Sequence, residues 1–198
     1  MPTPLTPRIH PKTGPETSEK ELKKAYNCVI ESGVTHQWER NPISGVNPDE
    51  VPGFYRRAYS AQEKGDRLSA ERWARVAKHL AYALWHEAKI AYMEPRLHDL
   101  PYLAGPAPDE ARLQEEENTA ADLILAFSTK IPPGESSKPE TMQRYLMLAK
   151  QHLQAIKTPE SVNGLLKAER IRAAHEYGRT LECMMLAYES EASQQKVA

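Results

Sequence analysis

The sequence predicts an all-α fold: a single-domain bundle of five or six helices around a long central helix, preceded by a disordered, proline-rich N-terminal arm. Three observations carry this. Apolar residues recur at three- and four-residue steps over most of the 198 residues, the period of one helix face. Proline and glycine clusters cut the chain into segments of helical length. No segment joins alternating β-branched residues to hairpin turn chemistry. The expected division is residues 1–17 as arm, 18–192 as bundle and 193–198 as frayed tail. A chain of this length buries enough apolar surface for one domain.

The arm holds prolines at positions 2, 4, 7, 11 and 15 and few large apolar side chains, too little to build a core. Ser18 and Glu21 have the form of a capping box, so the first helix is expected from Ser18 to about Ser32, with Gly33 as its stop. An irregular segment punctuated by Pro42, Pro48 and Pro52 follows, with Trp38 as its anchor. The second helix is expected from about Gly53 to Lys64. Gly65-Asp66 then turns it directly into the central helix, making the two antiparallel neighbours.

The central helix runs from Asp66 to Glu94, the longest helical pattern without glycine or proline. Ala70, Ala74, Ala77, Ala81, Leu84, Ala88 and Ala91 form its seam, flanked by Trp73 and Trp85. Small side chains let a neighbouring helix approach closely. Asp66 or Ser69 can accept bonds from the free N–H groups of the first turn, and Pro95 marks the stop. The opposite face carries Arg72, Arg75, His79, Tyr82, His86 and Ile90. The first five are the candidate partner- or ligand-binding residues, since the arginines and histidines can meet an anion or a partner carboxylate.

After a proline- and leucine-containing loop at 95–108, a fourth helix is expected from Asp109 to Lys130. Its early acidic residues, Glu115, Glu116 and Glu117 among them, read as a solvated helix start favoured by the macrodipole. A fifth is expected from Pro139 to Lys157 and a sixth from Thr158 to about Glu191, broken near Asn163-Gly164. Gly178 inside the sixth helix costs ~1 kcal/mol against alanine, which implies close packing or a kink.

The net charge of −1 gives no global field to recruit nucleic acid or an anionic membrane. Two cysteines, Cys28 and Cys183, fit a reducing compartment and read as small buried side chains. With no secretory core and no membrane-span run, the expected location is the cytoplasm. The P-loop, the dinucleotide fingerprint, HExxH, paired CxxC and GxSxG are all absent. His79 and His86, seven residues apart, are too widely spaced to reach one ion, and Glu94 and His98 straddle Pro95. No metal and no cofactor are expected.

One stretch carries two family resemblances. Phe54, Ala58, Gly65, Asp66, Ala70 and Ala77 fall at the spacings of a single tetratricopeptide hairpin over residues 54–80. The pattern departs at Arg57, where that repeat has leucine, and at Tyr82, where it has its closing proline. The resemblance implies a helical protein-binding surface. The same stretch also resembles the opening helices of HEPN domains, small helical bundles that are often dimeric. Many of these are metal-independent ribonucleases with an R-x(4–6)-H motif, a spacing that Arg170 and His175 match, with Ile171 where the family often has a polar residue. The leading expectation is therefore a non-enzymatic interaction or scaffold protein with a protein partner. The alternative is a HEPN-like, homodimeric RNA-processing enzyme with Arg170 and His175 as its catalytic pair.

Overall fold

Aspartate caps two of the helix starts, and proline sits in the first turn of two others. The computed structural model describes residues 15–31, 46–47, 49–96, 109–131, 140–157 and 164–195. Helix α1 spans Pro15–Glu31, α2 Glu50–Glu63, α3 Arg67–Met93, α4 Glu110–Lys130, α5 Glu140–Ala155 and α6 Gly164–Gln195. A short 3-10 turn, Glu94–Arg96, carries Pro95 past the end of α3. No strand occurs among the described residues, and no helix there is long and apolar enough to cross a membrane. The all-α bundle and its long central helix are as the periodicity predicts.

Three boundaries differ from expectation. Helix α1 starts at Pro15, so its first turn takes residues 15–17 from the expected arm. A proline needs no N–H partner in a first turn, and its fixed φ already suits the helix. Ser18 is then a buried residue inside the helix and not its cap, and Glu21 pairs with Lys24 and Lys78. Helix α2 starts at Glu50, with Pro52 tolerated in its first turn for the same reason. Helix α6 continues to Gln195, beyond the expected onset of the frayed tail, while residues 158–163, where its start was expected, lie outside the described residues. The rest of the arm, residues 1–14, lies outside the described residues, as do Gly33, Trp38, His98 and Pro139.

Two caps form as local chemistry requires. Asp66 accepts a hydrogen bond from the Ser69 backbone N–H at 3.1 Å, and Asp109 accepts from Ala111 N–H at 2.9 Å. Gly65 turns α2 into α3 at φ +78°, a left-handed conformation that favours glycine.

At the centre lie α3 and α6. Helices α1 and α2 pack on α3, while α4 and α5 pack on α6. The two central helices run antiparallel, because Arg72 near the start of α3 meets Ser190 near the end of α6, and Glu94 just past α3 meets Arg170 near the start of α6. Only four of the 27 residues of α3 are exposed, so the face opposite its alanine seam is mostly interior too. His86 and Ile90 on that face are buried. A helix covered on several sides has no wholly solvated stripe.

Trp73 pins three helices together. It stacks on Phe54 of α2 at 5.6 Å and meets Tyr188 of α6 edge-on at 5.1 Å. Its indole N–H donates to Glu191 at 2.8 Å, and the Arg57 guanidinium lies over its ring at 4.0 Å. Gly178 is explained by close packing: a Cβ there would lie 2.7 Å from Leu123 Cδ2 of α4.

Candidate functional site

The polar face of α3 is engaged by its own chain over much of its length. Arg72 donates to the Leu186 carbonyl and to the Ser190 hydroxyl. Arg75 pairs with Glu71, one turn back, and lies 3.9 Å from Glu21 of α1. His79 Nδ1 lies 2.7 Å from Glu176 Oε2, and His86 Nδ1 lies 2.6 Å from Glu169 Oε2. Tyr82 is exposed on the outer side of the helix. The two histidines are seven residues apart on α3, and the two glutamates are seven apart on α6. In an antiparallel pair this matched spacing brings each histidine to its own carboxylate. The four polar residues at this contact are therefore positioned by helix register.

Electrostatics sharpen this seam. Burial pushes the Glu176 carboxyl upward, but the adjacent His175 and His79 outweigh it and bring its pKa down to about 2. Burial lowers the pKa of His79, and the opposing pull of Glu176 does not overcome it. Glu169 is opposed by burial as well, yet His86 and Lys89 hold its pKa below the ordinary carboxylate value.

Beside this seam α3, α4 and α6 leave a cleft of about 390 Å³. Helix α3 contributes His86, and α4 contributes Glu115, Glu116 and Thr119. Ile171, Arg172, His175 and Glu176 line it from α6. Arg172 lies between two carboxylates, with Nε 3.5 Å from Glu116 Oε2 and an Nη1 donated to Glu169 at 3.3 Å. His175 Nδ1 lies 3.6 Å from Glu176 Oε1. The acidic start of α4, expected as a solvated surface, thus supplies two cleft residues.

Arg170 is not among the residues lining this cleft. It pairs with Glu94 at the end of α3, whereas His175 lines the cleft. Five residues of helix rotate the second position by about 140° from the first, so the two side chains do not converge.

A second feature lies across the molecule, on α1 and α2. Tyr26 is 51 % exposed, Ile30 60 % and Tyr59 52 %. The Tyr26 ring lies 5.9 Å from that of Tyr55. Lys23 precedes Tyr26 by one turn and Arg56 precedes Tyr59 by one turn, and both are exposed.

Among the described residues no group of three or more His, Cys, Asp or Glu side chains could hold a metal ion. Cys183 is buried, which pushes its thiol up to about 11, while Cys28 is only half-buried. No protein-family model, curated protein or solved structure matches this chain, so its function is argued from its own residues.

Sequence reasoning did not single out Arg172, Glu169 or Glu176. A signal for the two glutamates existed: carboxylates seven apart on one long helix, matching histidines seven apart on another. Nothing in the sequence marked Arg172 apart from other surface arginines.

Proposed function

We propose that this protein is a non-enzymatic interaction module that docks an acidic, amphipathic helix of a partner protein on the outer face of α1 and α2. The observation that carries this reading is the exposure of Tyr26, Ile30 and Tyr59 together on that face. Large apolar side chains at helical spacing are the anchors of helix-in-groove recognition. Tyrosine is a favoured anchor because its ring gives much contact area for little lost conformational freedom. Lys23 and Arg56 beside the tyrosines favour a partner carrying carboxylates. The tetratricopeptide resemblance of the α2–α3 hairpin points the same way, towards protein binding. Arg170, committed to Glu94, does not support the catalytic pair of the ribonuclease reading.

A photo-crosslinking residue at position 59 tests this. The expected result is one dominant crosslinked protein, whose purified form binds the chain and binds the Tyr26→Ala/Tyr59→Ala double variant at least about tenfold more weakly. Equal binding by the double variant overturns the reading. A crosslink only to a second copy, with a dimer in sedimentation that the double variant abolishes, would replace the partner with the chain itself. Cleavage of RNA by the wild type in the presence of chelator, lost in His175→Ala, would return the protein to the enzyme class.

A further inference from the structure

The face on α1 and α2 suits an acidic helix with an apolar anchor, and this chain carries such a helix itself. Helix α4 buries one side, and 13 of its 21 residues are exposed. On its outer side Glu115, Asn118, Asp122 and Leu125 follow one another at steps of three and four residues, one stripe of a helix. Leu125 is 66 % exposed, more than any other large apolar side chain among the described residues. The exposed cations of α4 are turned elsewhere: Arg112 pairs with Glu116, and Lys130 lies over the Phe127 ring. On α1 and α2 the balance is opposite, with Lys20, Lys23, Lys24 and Arg56 exposed against Glu19 and Glu63. Opposite charge with an apolar anchor is what the face asks of its occupant. The lengths agree as well: at ~1.5 Å per residue α4 is about 32 Å long and α1 about 26 Å. Both surfaces are exposed in the single chain, on helices that flank different members of the central pair, so their meeting takes two molecules.

We propose that the α1–α2 face also receives α4 of a second copy of this chain, with Leu125 against Tyr26 and Tyr59 and Asp122 towards Lys23 and Arg56. This occupant presupposes that the face is a docking site. The two surfaces differ, so the contact is heterologous: each pair of molecules keeps one free face and one free α4, and copies add head to tail. A symmetric dimer through paired tyrosine faces would instead set Lys23 and Arg56 against their own copies, which like charge disfavours.

Sedimentation velocity on the full chain tests this. The wild type should gain mass with concentration, past that of a dimer, and should do so less in high salt. Asp122→Lys/Leu125→Lys on α4 and Tyr26→Ala/Tyr59→Ala on the face should each weaken association at least about tenfold. All four residues are exposed, so both variants should fold, as circular dichroism will verify. Mixed together, the two variants should form a one-to-one dimer and nothing larger, because the mixture joins one intact α4 to one intact face. Met147→Ala, exposed on α5, should associate like the wild type. The proposal is overturned by a mixture that forms no dimer, or by equal weakening in Met147→Ala. A wild type that stays monomeric at every concentration overturns it too, and if that chain still captures a separate protein through position 59, the docking reading stands without it. A dimer from the mixture, beside a separate protein bound equally well by Tyr26→Ala/Tyr59→Ala, supports self-association and overturns the partner reading alone.

Discussion

At the scale of the residue, charged groups are held inside this bundle by pairing. A buried ion pair repays its desolvation only when its geometry and hydrogen bonds are good. Glu176 meets this condition with two histidines, and Glu21 with Lys24 and Lys78. Both carboxyls are opposed by burial, but their partners bring each to about 2. A carboxyl whose pKa is lower in the folded chain binds protons more readily once unfolded. Its stabilising contribution is therefore full above about 4.5, the ordinary glutamate value, and is lost as pH falls towards about 2. His79 adds to this from higher pH. Its lowered pKa means that protonation favours the unfolded chain as pH falls through 6.5. Urea midpoints measured against pH should decline for the wild type between 4.5 and 2, and less steeply for Glu176→Gln. Identical slopes in the two proteins would refute the assignment to Glu176.

At the scale of the element, α3 is built for close approach. Ala70, Ala74, Ala77 and Ala81 are fully buried, so there is no room beside them for a larger side chain to turn away into solvent. Ala77→Leu and Ala81→Leu should each cost ~1–3 kcal/mol in denaturant melts. Wild-type stability in both would mean that the seam can expand. The same logic operates where α6 crosses α4. Gly178→Ala gains ~1 kcal/mol of helix propensity but drives a methyl group into Leu123. The substitution should therefore be more favourable in a Leu123→Ala background than in the wild type, with a coupling of about 0.5–3 kcal/mol in a double-mutant cycle. Additive effects would show that Leu123 moves aside freely.

At the scale of the whole molecule, the antiparallel pair α3 and α6 joins two flanking pairs. Glu50 at the start of α2 ties these flanks together. It accepts the Tyr145 hydroxyl of α5 at 2.5 Å and pairs with Arg144. Behind Tyr145 the ring of Tyr177 stacks at 5.7 Å. Tyr177 donates to Glu87 at 3.2 Å, and Glu87 also lies 2.7 Å from His152 Nε2. This line of polar contacts runs through the apolar interior, where each hydrogen bond is strengthened by low dielectric and each loss is costly. Tyr145→Phe should cost about 1.5–3 kcal/mol, the worth of a hydrogen bond to a charged group. A neutral effect would show that Arg144 alone satisfies Glu50.

The sequence by itself determined the helices, the tight turn at Gly65, the cap at Asp66 and the burial of the alanine seam. These depend on residues within one or two turns of each other, so local periodicity and capping chemistry are enough. Two onsets were misplaced where Pro15 and Pro52 were read as breakers, because a proline reads alike in a loop and in a first turn. The tertiary structure alone decided that the Arg72, His79 and His86 side of α3 faces α6, that Glu115 and Glu116 line a cleft, and that Arg170 and His175 diverge. Helical periodicity says which residues share a face. It does not say how many neighbours a helix has, and that number separates an interior charge seam from a surface open to a partner.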